Sequence, residues 1–469
     1  MTKTIRHRKG GEDKPKKLSI SMEEAKISTL SKLAICFGIL VFIFFLQTTV
    51  IRDATIWKVK LRSMLLISEW ARNWNANNGS AVITCDYSHN GYDICTINGS
   101  TLLDQASSTL FALGPHTQQD KPHIPFKILP YTLKGDKTAM SNVKEVTLTL
   151  APPKLSCGVT HHTPALVFSV GGYTGNFYHE INENFIPLFI TINSLFPNQN
   201  VILVVLEGKS WWFKKYAELL SAFSPNHMII NTNNISTVHC FPSATIGLIK
   251  HGDMTIDPKL LPNPKTLLDF RAFLDKVYTK DDDTPFVYPN ENGKPRLTLI
   301  SRRGNVSRLL LNENDVIKVA EEIGFNVHVF EPKNTPMAKV YRLIHASDVL
   351  LGVHGAGLTN FLFLRPGSVL VQVVPIELYW ASRTYYEKPP KFLGVDYIEY
   401  KIEPNESSLL ERFGANSLVF KDPPAFHKGN WSKQRVYLKE QNVKINVVRF
   451  RKYLTKAYEK AKIFISKVN

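Results

Sequence analysis

The sequence predicts an α/β protein with two parallel-sheet αβα domains behind an N-terminal membrane anchor. Three observations predict it. Short apolar runs alternate with helically spaced stretches, the mark of βαβ units, and they do so on both sides of one break. That break, about Thr279 to Pro295, is acidic and rich in Pro, Asn and Gly, as linkers are. Finally, Leu33 to Ile51 carries no charge and lies between Lys32 and Arg52, a length that just spans a bilayer core.

Taken in chain order, residues 1–32 form a basic tail, which the positive-inside rule places in the cytosol. Residues 33–51 are the transmembrane signal anchor; they lie too far from the N-terminus, without a small-residue cleavage site, to be a removed leader. Residues 52–80 read as a helical stem, and everything beyond it is expected to be luminal. The first domain spans 81–280, with strands at Ala165–Val170 and Val201–Leu206 and helical spacing from Phe177 to Leu195 between them. After the linker, 281–295, the second domain spans 296–445. Its strands are Leu297–Ser301, Asn326–Phe330, Val349–Gly352 and Val369–Val374, and its helices about Glu313–Ile323, Met337–Ala346 and Leu358–Leu364. Residues 446–469 hold an amphipathic helix, about Val447 to Ser466, that is expected to return to the first domain.

Cys36 falls within the anchor, leaving Cys85, Cys95, Cys157 and Cys240 for an oxidising lumen, where three pairings are open. Pairing Cys85 with Cys95 would close a short loop, and pairing Cys157 with Cys240 would staple the first domain. Sequons at Asn78, Asn98, Asn234, Asn305, Asn405 and Asn430 fit the same compartment. The formal charge of +17 does not indicate nucleic acid, because Lys and Arg are spread along the chain without aromatic-interleaved basic motifs. A basic groove for a nucleotide diphosphate or an acidic polysaccharide fits it as well.

Two strand ends in the second domain look built for an anion. The turn Gly352-Val353-His354-Gly355-Ala356-Gly357-Leu358-Thr359-Asn360 follows an apolar strand and opens a helix, an arrangement that presents backbone N–H groups. Its Gly-x-x-Gly-x-Gly spacing is neither the dinucleotide fingerprint nor a Walker loop. His354, Gly355, Ala356, Gly357 and Asn360 are its candidate binding residues. Arg302 and Arg303 end another strand, with Arg308 close behind, and arginines there can grip a diphosphate bidentately. A glycan on Asn305, in that same loop, would crowd the site, so Asn305 is expected to be unmodified.

In the first domain, Gly171 to Glu180 follows a strand and opens a helix. His179 or Glu180 is the candidate to take a proton from an acceptor hydroxyl; the alternative is Glu180 facing the helix dipole and His179 as a structural residue. Glu183 is a further carboxylate. Asp281-Asp282-Asp283 sits in the polar linker without a preceding strand and reads as a solvated run rather than a metal site, and His161-His162 lacks a second ligand pair. Trp211-Trp212-Phe213 could stack on sugars, although such clusters more often pack inside. Glu406 could cap a helix or accept hydrogen bonds from ribose hydroxyls.

Together these segments resemble glycosyltransferase family 61, particularly its plant members that decorate xylan. The matching blocks run from Thr84-Cys85-Asp86 to Asp93-Ile94-Cys95, Gly171 to Thr191, Leu299 to Asn312, Asp348 to Pro375, and Glu406 to Leu409. The resemblance implies a Golgi type II enzyme of GT-B fold, two Rossmann-like domains facing a cleft. It implies transfer of a sugar, xylose or arabinofuranose among plant members, from a UDP-sugar with inversion, without a bound metal. UDP-xylose or UDP-arabinofuranose and a xylan-type acceptor are the expected partners; a homodimer or a Golgi complex stays open. Trp380-Ala381-Ser382-Arg383 keeps a family pattern and adds Arg383 to the donor-site candidates, whereas Glu183-Asn184 departs from the Asn-Asp of many relatives. The competing readings are an N-glycan xylosyltransferase, a catalytically silent scaffold, and a luminal polysaccharide-binding protein.

Overall fold

The structure is a computed structural model that describes residues 81–468, apart from 114–123, 152–154, 199, 280–292, 305 and 333–334. The expected tail, anchor and stem, the Asp281–Asp283 run and the Asn305 sequon therefore lie outside the described residues. The described residues all belong to one contact unit, Ile67–Asn469.

Two separate sheets organise it. The first has ten strands: β1 (Val82–Asp86), β2 (Ile94–Asp104), β3 (Thr109–Ala112), β4 (Phe126–Ile128), β5 (Val146–Leu150), β6 (Val159–Thr160), β7 (Ala165–Ser169), β8 (Ile202–Leu206), β9 (Ile230–Asn231) and β10 (His239–Ile246). Its main order is β4-β5-β3-β2-β10-β7-β8-β9. The run β10-β7-β8-β9 is parallel, and every residue of β7 and β8 is buried. Uninterrupted apolar strands are what a sheet covered on both faces requires. The expectation of a wholly parallel sheet fails on the other side: β1, β3 and β10 all pair with β2 in antiparallel fashion. Cys85 faces Cys95 across β1 and β2 and forms one disulfide with it; Cys157 and Cys240 form the other.

The second sheet is parallel throughout: β11 (Arg296–Ile300), β12 (Asn326–Phe330), β13 (Val349–Val353), β14 (Val369–Val374) and β15 (Asp396–Lys401) lie in the order β12-β11-β13-β14-β15. The chain thus reverses its direction of winding between β11 and β13. Crevices outside the carboxyl ends of strands at such a switch point are where ligands bind.

One apolar cluster contains residues from both halves, including Phe185, Phe270 and Tyr278 with Tyr341, Leu358 and Phe363. Helix Leu267–Thr279 packs on helix Met337–His345, which fixes the two sheets against each other. The C-terminal helix, Val447–Val468, does not return to the first domain as expected. It packs on β13, β14 and β15 and on helix Glu313–Ile323, burying Phe450, Leu454, Ala457 and Ala461. Its apolar face belongs to the second sheet's own core.

Candidate active site

At the switch point, β11 runs out into Ser301-Arg302 and β13 into His354-Gly355. Gly355 has φ +153°, and a Cβ there would come within 2.6 Å of Arg302 Nη1 and 3.5 Å of Arg308 Nη1. The bare glycine is what lets two guanidinium groups close on the turn. Arg308 is held by its own backbone, with φ +61° and its N–H donating to Gln441 O at 2.8 Å, and its Nη1 donates to His354 O at 3.2 Å. Among the described residues neither Arg302 nor Arg308 pairs with a carboxylate, and the Nε of each is buried without a partner. Burial lowers the pKa of both guanidiniums, Arg308 to about 10, with the neighbouring Arg302 charge adding to its shift. Two half-buried like charges without a counterion are costly alone, and an anion between them relieves that cost.

His354 completes this pole. Gln372 Oε1 accepts from Ser382 Oγ at 2.9 Å and Tyr397 Oη at 2.6 Å, which turns its amide nitrogen toward His354 Nδ1, 2.7 Å away. Nδ1 is therefore the acceptor and the ring proton sits on Nε2. Burial, then Arg308 and Arg302, lower the His354 pKa to about 3, so the ring stays neutral. Because this folded-state value lies below the ordinary 6.5, the unfolded chain binds one more proton between pH 6.5 and 3. His354 therefore makes stability rise with pH across that window and fall as pH drops through it. His354→Gln is expected to flatten the slope of unfolding free energy by about 1.4 kcal/mol per pH unit there, read from urea melts at pH 6 and pH 4.5.

Arg302, Arg303, Ala356, Gly357 and Asn360 line a cavity of about 650 Å³. Gly175, Phe177 and the helix Ser210–Phe223, through Trp211, Lys215 and Glu218, line it from the first half. Asn360 is fixed by its amide donating to Gly357 O at 2.7 Å. His354, Gly355 and Arg308 do not line the cavity themselves; they reach it through Arg302.

The other pole is on the segment after β7. The expected helix from Phe177 is continuous but changes character: Phe177–His179 is α, Glu180–Phe185 is a π turn, and Ile186–Leu195 is α again. Such π turns often mark functional sites. Here it puts His179 Nδ1 3.0 Å from Glu183 Oε2, with the His179 side chain 23% exposed and Glu183 buried. The carboxylate accepts from Nδ1–H, leaving Nε2 as the free lone pair. Glu183 Oε1 in turn accepts from Asn182 Nδ2 at 2.7 Å and Lys250 Nζ at 3.4 Å, and both donors also bind Asp253. A histidine oriented by a buried, braced carboxylate has the arrangement that general-base chemistry requires. Tyr178 links the poles: its ring lies 5.3 Å from His179 and 6.2 Å from Tyr386, whose hydroxyl donates to Gly355 O at 2.9 Å.

Residues 177–371 of this chain match glycosyltransferase family 61, a stretch that holds His179, Glu183, the arginine pair and the glycine turn. The chain is 37% identical over 398 residues to "Xylan glycosyltransferase MUCI21" of Arabidopsis thaliana, covering 81% of this chain and 80% of that protein. The chain belongs to glycosyltransferase family 61. The family 61 chain is also similar to two rice (Oryza sativa subsp. japonica) proteins. It is 34% identical to "Beta-1,2-xylosyltransferase XYXT1" over 80% of this chain and 83% of that protein. To "Alpha-1,3-arabinosyltransferase XAT3" it is 34% identical over 82% of this chain and 66% of that protein.

Of the expected site residues of this glycosyltransferase, Glu180, Arg383 and Glu406 do not line the cavity, while Arg303 lies at its rim. Glu180 is only 1% exposed, and its carboxylate accepts from Gly175 N at 2.8 Å, Trp212 Nε1 at 2.7 Å and Asn184 Nδ2 at 3.1 Å. Burial raises its pKa, and its oxygens are committed to the fold. Glu180→Ala, which strands those donors, is expected to cost about 3 kcal/mol of stability, measured by urea denaturation. Arg303 is exposed and pairs with Glu313 at 2.6 Å at the cavity rim. Arg383 is exposed and does not line the cavity. Glu406 is buried and bonded to Tyr400, Arg449 and the backbone of Glu403 and Asn446, closing a capping box that leaves no oxygen for a ribose.

The structure also brings in residues that the sequence did not single out. Lys439, on helix Trp431–Lys439, sits close enough to Arg308, Arg302 and Arg435 that burial and their charges lower its pKa. Lys250 and Asp253 brace Glu183. Of the aromatic cluster, Trp212 is core, whereas Trp211 is 43% exposed and faces the cavity.

Proposed function

We propose that this protein is an inverting, UDP-sugar-dependent pentosyltransferase of GT-B architecture that decorates xylan from the Golgi lumen, held by a type II anchor. The observation that carries the reading is the uncompensated Arg302–Arg308 pair at the switch point, linked through Tyr178 to the His179–Glu183 dyad. A UDP diphosphate is the ligand whose charge and size suit that pair and the cavity beside it. The xylan and pentose parts rest on the names of the similar plant proteins.

In this reading the acceptor hydroxyl attacks the anomeric carbon in a single displacement. The bond between that carbon and the UDP oxygen breaks, and the hydroxyl proton passes to His179 Nε2. The charge that collects on the departing diphosphate is met by Arg302, with Arg308 and the neutral His354 backing it from behind. Donors preorganised where charge develops lower the barrier without reorganising during the step.

The test is a donor screen with the full-length protein in detergent, using xylo-oligosaccharide acceptors and UDP-xylose, UDP-arabinofuranose and UDP-N-acetylglucosamine, with and without EDTA. Transfer of one pentose, with inverted product and no loss in EDTA, is expected. Transfer from UDP-N-acetylglucosamine alone removes the pentose reading. UDP binding without transfer moves the acceptor elsewhere, to an N-glycan for instance; no UDP binding removes the transferase mechanism.

A further inference from the structure

Trp380 is 56% exposed, although it sits on a short helix, Tyr379–Ser382, that is anchored from below. The anchor is Ser382, buried, whose hydroxyl bonds Gln372 at 2.9 Å, Tyr397 at 2.8 Å and Glu399 at 3.1 Å on β14 and β15. A large aromatic ring is thus held out to solvent on a rigid base rather than on a loose loop. It is also not alone. Its ring lies 5.9 Å from that of Tyr385, which lies 4.8 Å from Tyr178, which lies 5.3 Å from His179. Tyr385 comes from the second half and Tyr178 from the first, so this aromatic row crosses between the halves and ends at the candidate base.

Polar groups flank the row where it meets His179. The Tyr178 hydroxyl is buried without a partner, and Asp253, 41% exposed, is near enough to Tyr385 to help burial raise the tyrosine's pKa to about 12. The Trp380 and Tyr385 rings stand at 72° to each other, so each offers its own apolar face, and such faces with a few placed hydrogen-bonding groups suit a ligand that is apolar on its faces and polar on its edge, as a pyranose ring is. Scattered exposed aromatics are common on protein surfaces. A rigid row that leads to a proton acceptor is not scattered.

We propose that Trp380 and Tyr385 are the stacking platform for the acceptor, a linear neutral glycan chain that threads past them so that one hydroxyl reaches His179. The inference rests on the transferase reading for the identity of the chain. It assigns acceptor binding to residues other than the arginine pair, so acceptor and donor affinities separate experimentally.

The experiment measures binding of xylohexaose and xylobiose by calorimetry to the full-length protein in detergent, with UDP affinity measured on the same samples. Trp380→Ala is expected to weaken xylohexaose binding tenfold or more, to change xylobiose less, and to leave UDP affinity as it was. Trp380→Phe is expected to recover most of the loss. Unchanged xylohexaose binding in Trp380→Ala overturns the platform, as does wild-type protein that binds UDP but not xylohexaose. Loss of UDP binding in the wild type strikes the transferase reading instead, and a Trp380-dependent xylohexaose affinity in that case sustains the platform by itself.

Discussion

Arg302→Ala is expected to lower turnover of the UDP-sugar about a hundredfold, near 2.7 kcal/mol of transition-state stabilisation, the scale for one preorganised charge partner. The size follows from where the guanidinium sits. It lies at the end of β11 beside Gly355, has no carboxylate partner among the described residues, and lines the cavity directly. Its charge is therefore free for a ligand rather than spent on the fold. Arg302→Lys is expected to recover only part of the loss, because an ammonium replaces a planar fork by a point charge. Gly355→Ala supplies an independent arm: its new methyl would sit 2.6 Å from Arg302 Nη1 and displace it, mimicking the arginine variants without removing a charge. Arg302 and Arg308 share one turn, so the double variant is expected to lose less than the sum of the two. Near-normal kinetics in a folded Arg302→Ala protein would falsify the diphosphate assignment.

Much of the second sheet was legible because its three central strands, β11, β13 and β14, are almost wholly buried and bounded by polar turns. The strand Asn326–Phe330 and the helix Glu313–Ile323 fall on the expected residues. The glycine turn and Arg302 were legible for the same reason, since a strand end is visible in sequence and its chemistry is local. The antiparallel side of the first sheet was not: β4 has three residues and β3 four, with mixed burial, so no period stands out. What the sequence could not show was partnership at a distance. Glu180 is claimed by Trp212, 32 positions on, so a residue that reads as a base is a structural acceptor. Arg308 gains Lys439 as a neighbour only because the 307–312 segment is tied to 441–446 by hydrogen bonds such as Leu309 N to Asn442 Oδ1 at 3.0 Å. Amphipathic spacing showed that one face of the last helix is buried, but not against which sheet.

In the proposed mechanism His179 rather than the committed carboxylate of Glu180 takes the acceptor proton, and this sets the second large effect. His179→Ala is expected to lower kcat by about 10²- to 10⁴-fold, the range for a positioned general base, while UDP affinity stays close to wild type. Glu183 fixes Nδ1 and so the tautomer, and the partly exposed ring leaves Nε2 open toward an incoming hydroxyl. Exogenous imidazole is expected to restore part of the His179→Ala rate, which a residue that only holds the fold together would not permit. Glu183→Gln keeps the shape but can donate as well as accept, so the histidine loses its fixed tautomer; a fall of about 10²-fold in kcat with little change in acceptor KM is expected. Lys250→Met, which removes a brace from Glu183 without touching the histidine, should act in the same direction and more weakly. If His179→Ala keeps its kcat while Glu183→Gln loses it, the carboxylate takes the proton itself and the histidine only shields it. If both keep their rates in folded protein, the acceptor is deprotonated elsewhere along the row of Tyr178, Tyr385 and Asp253.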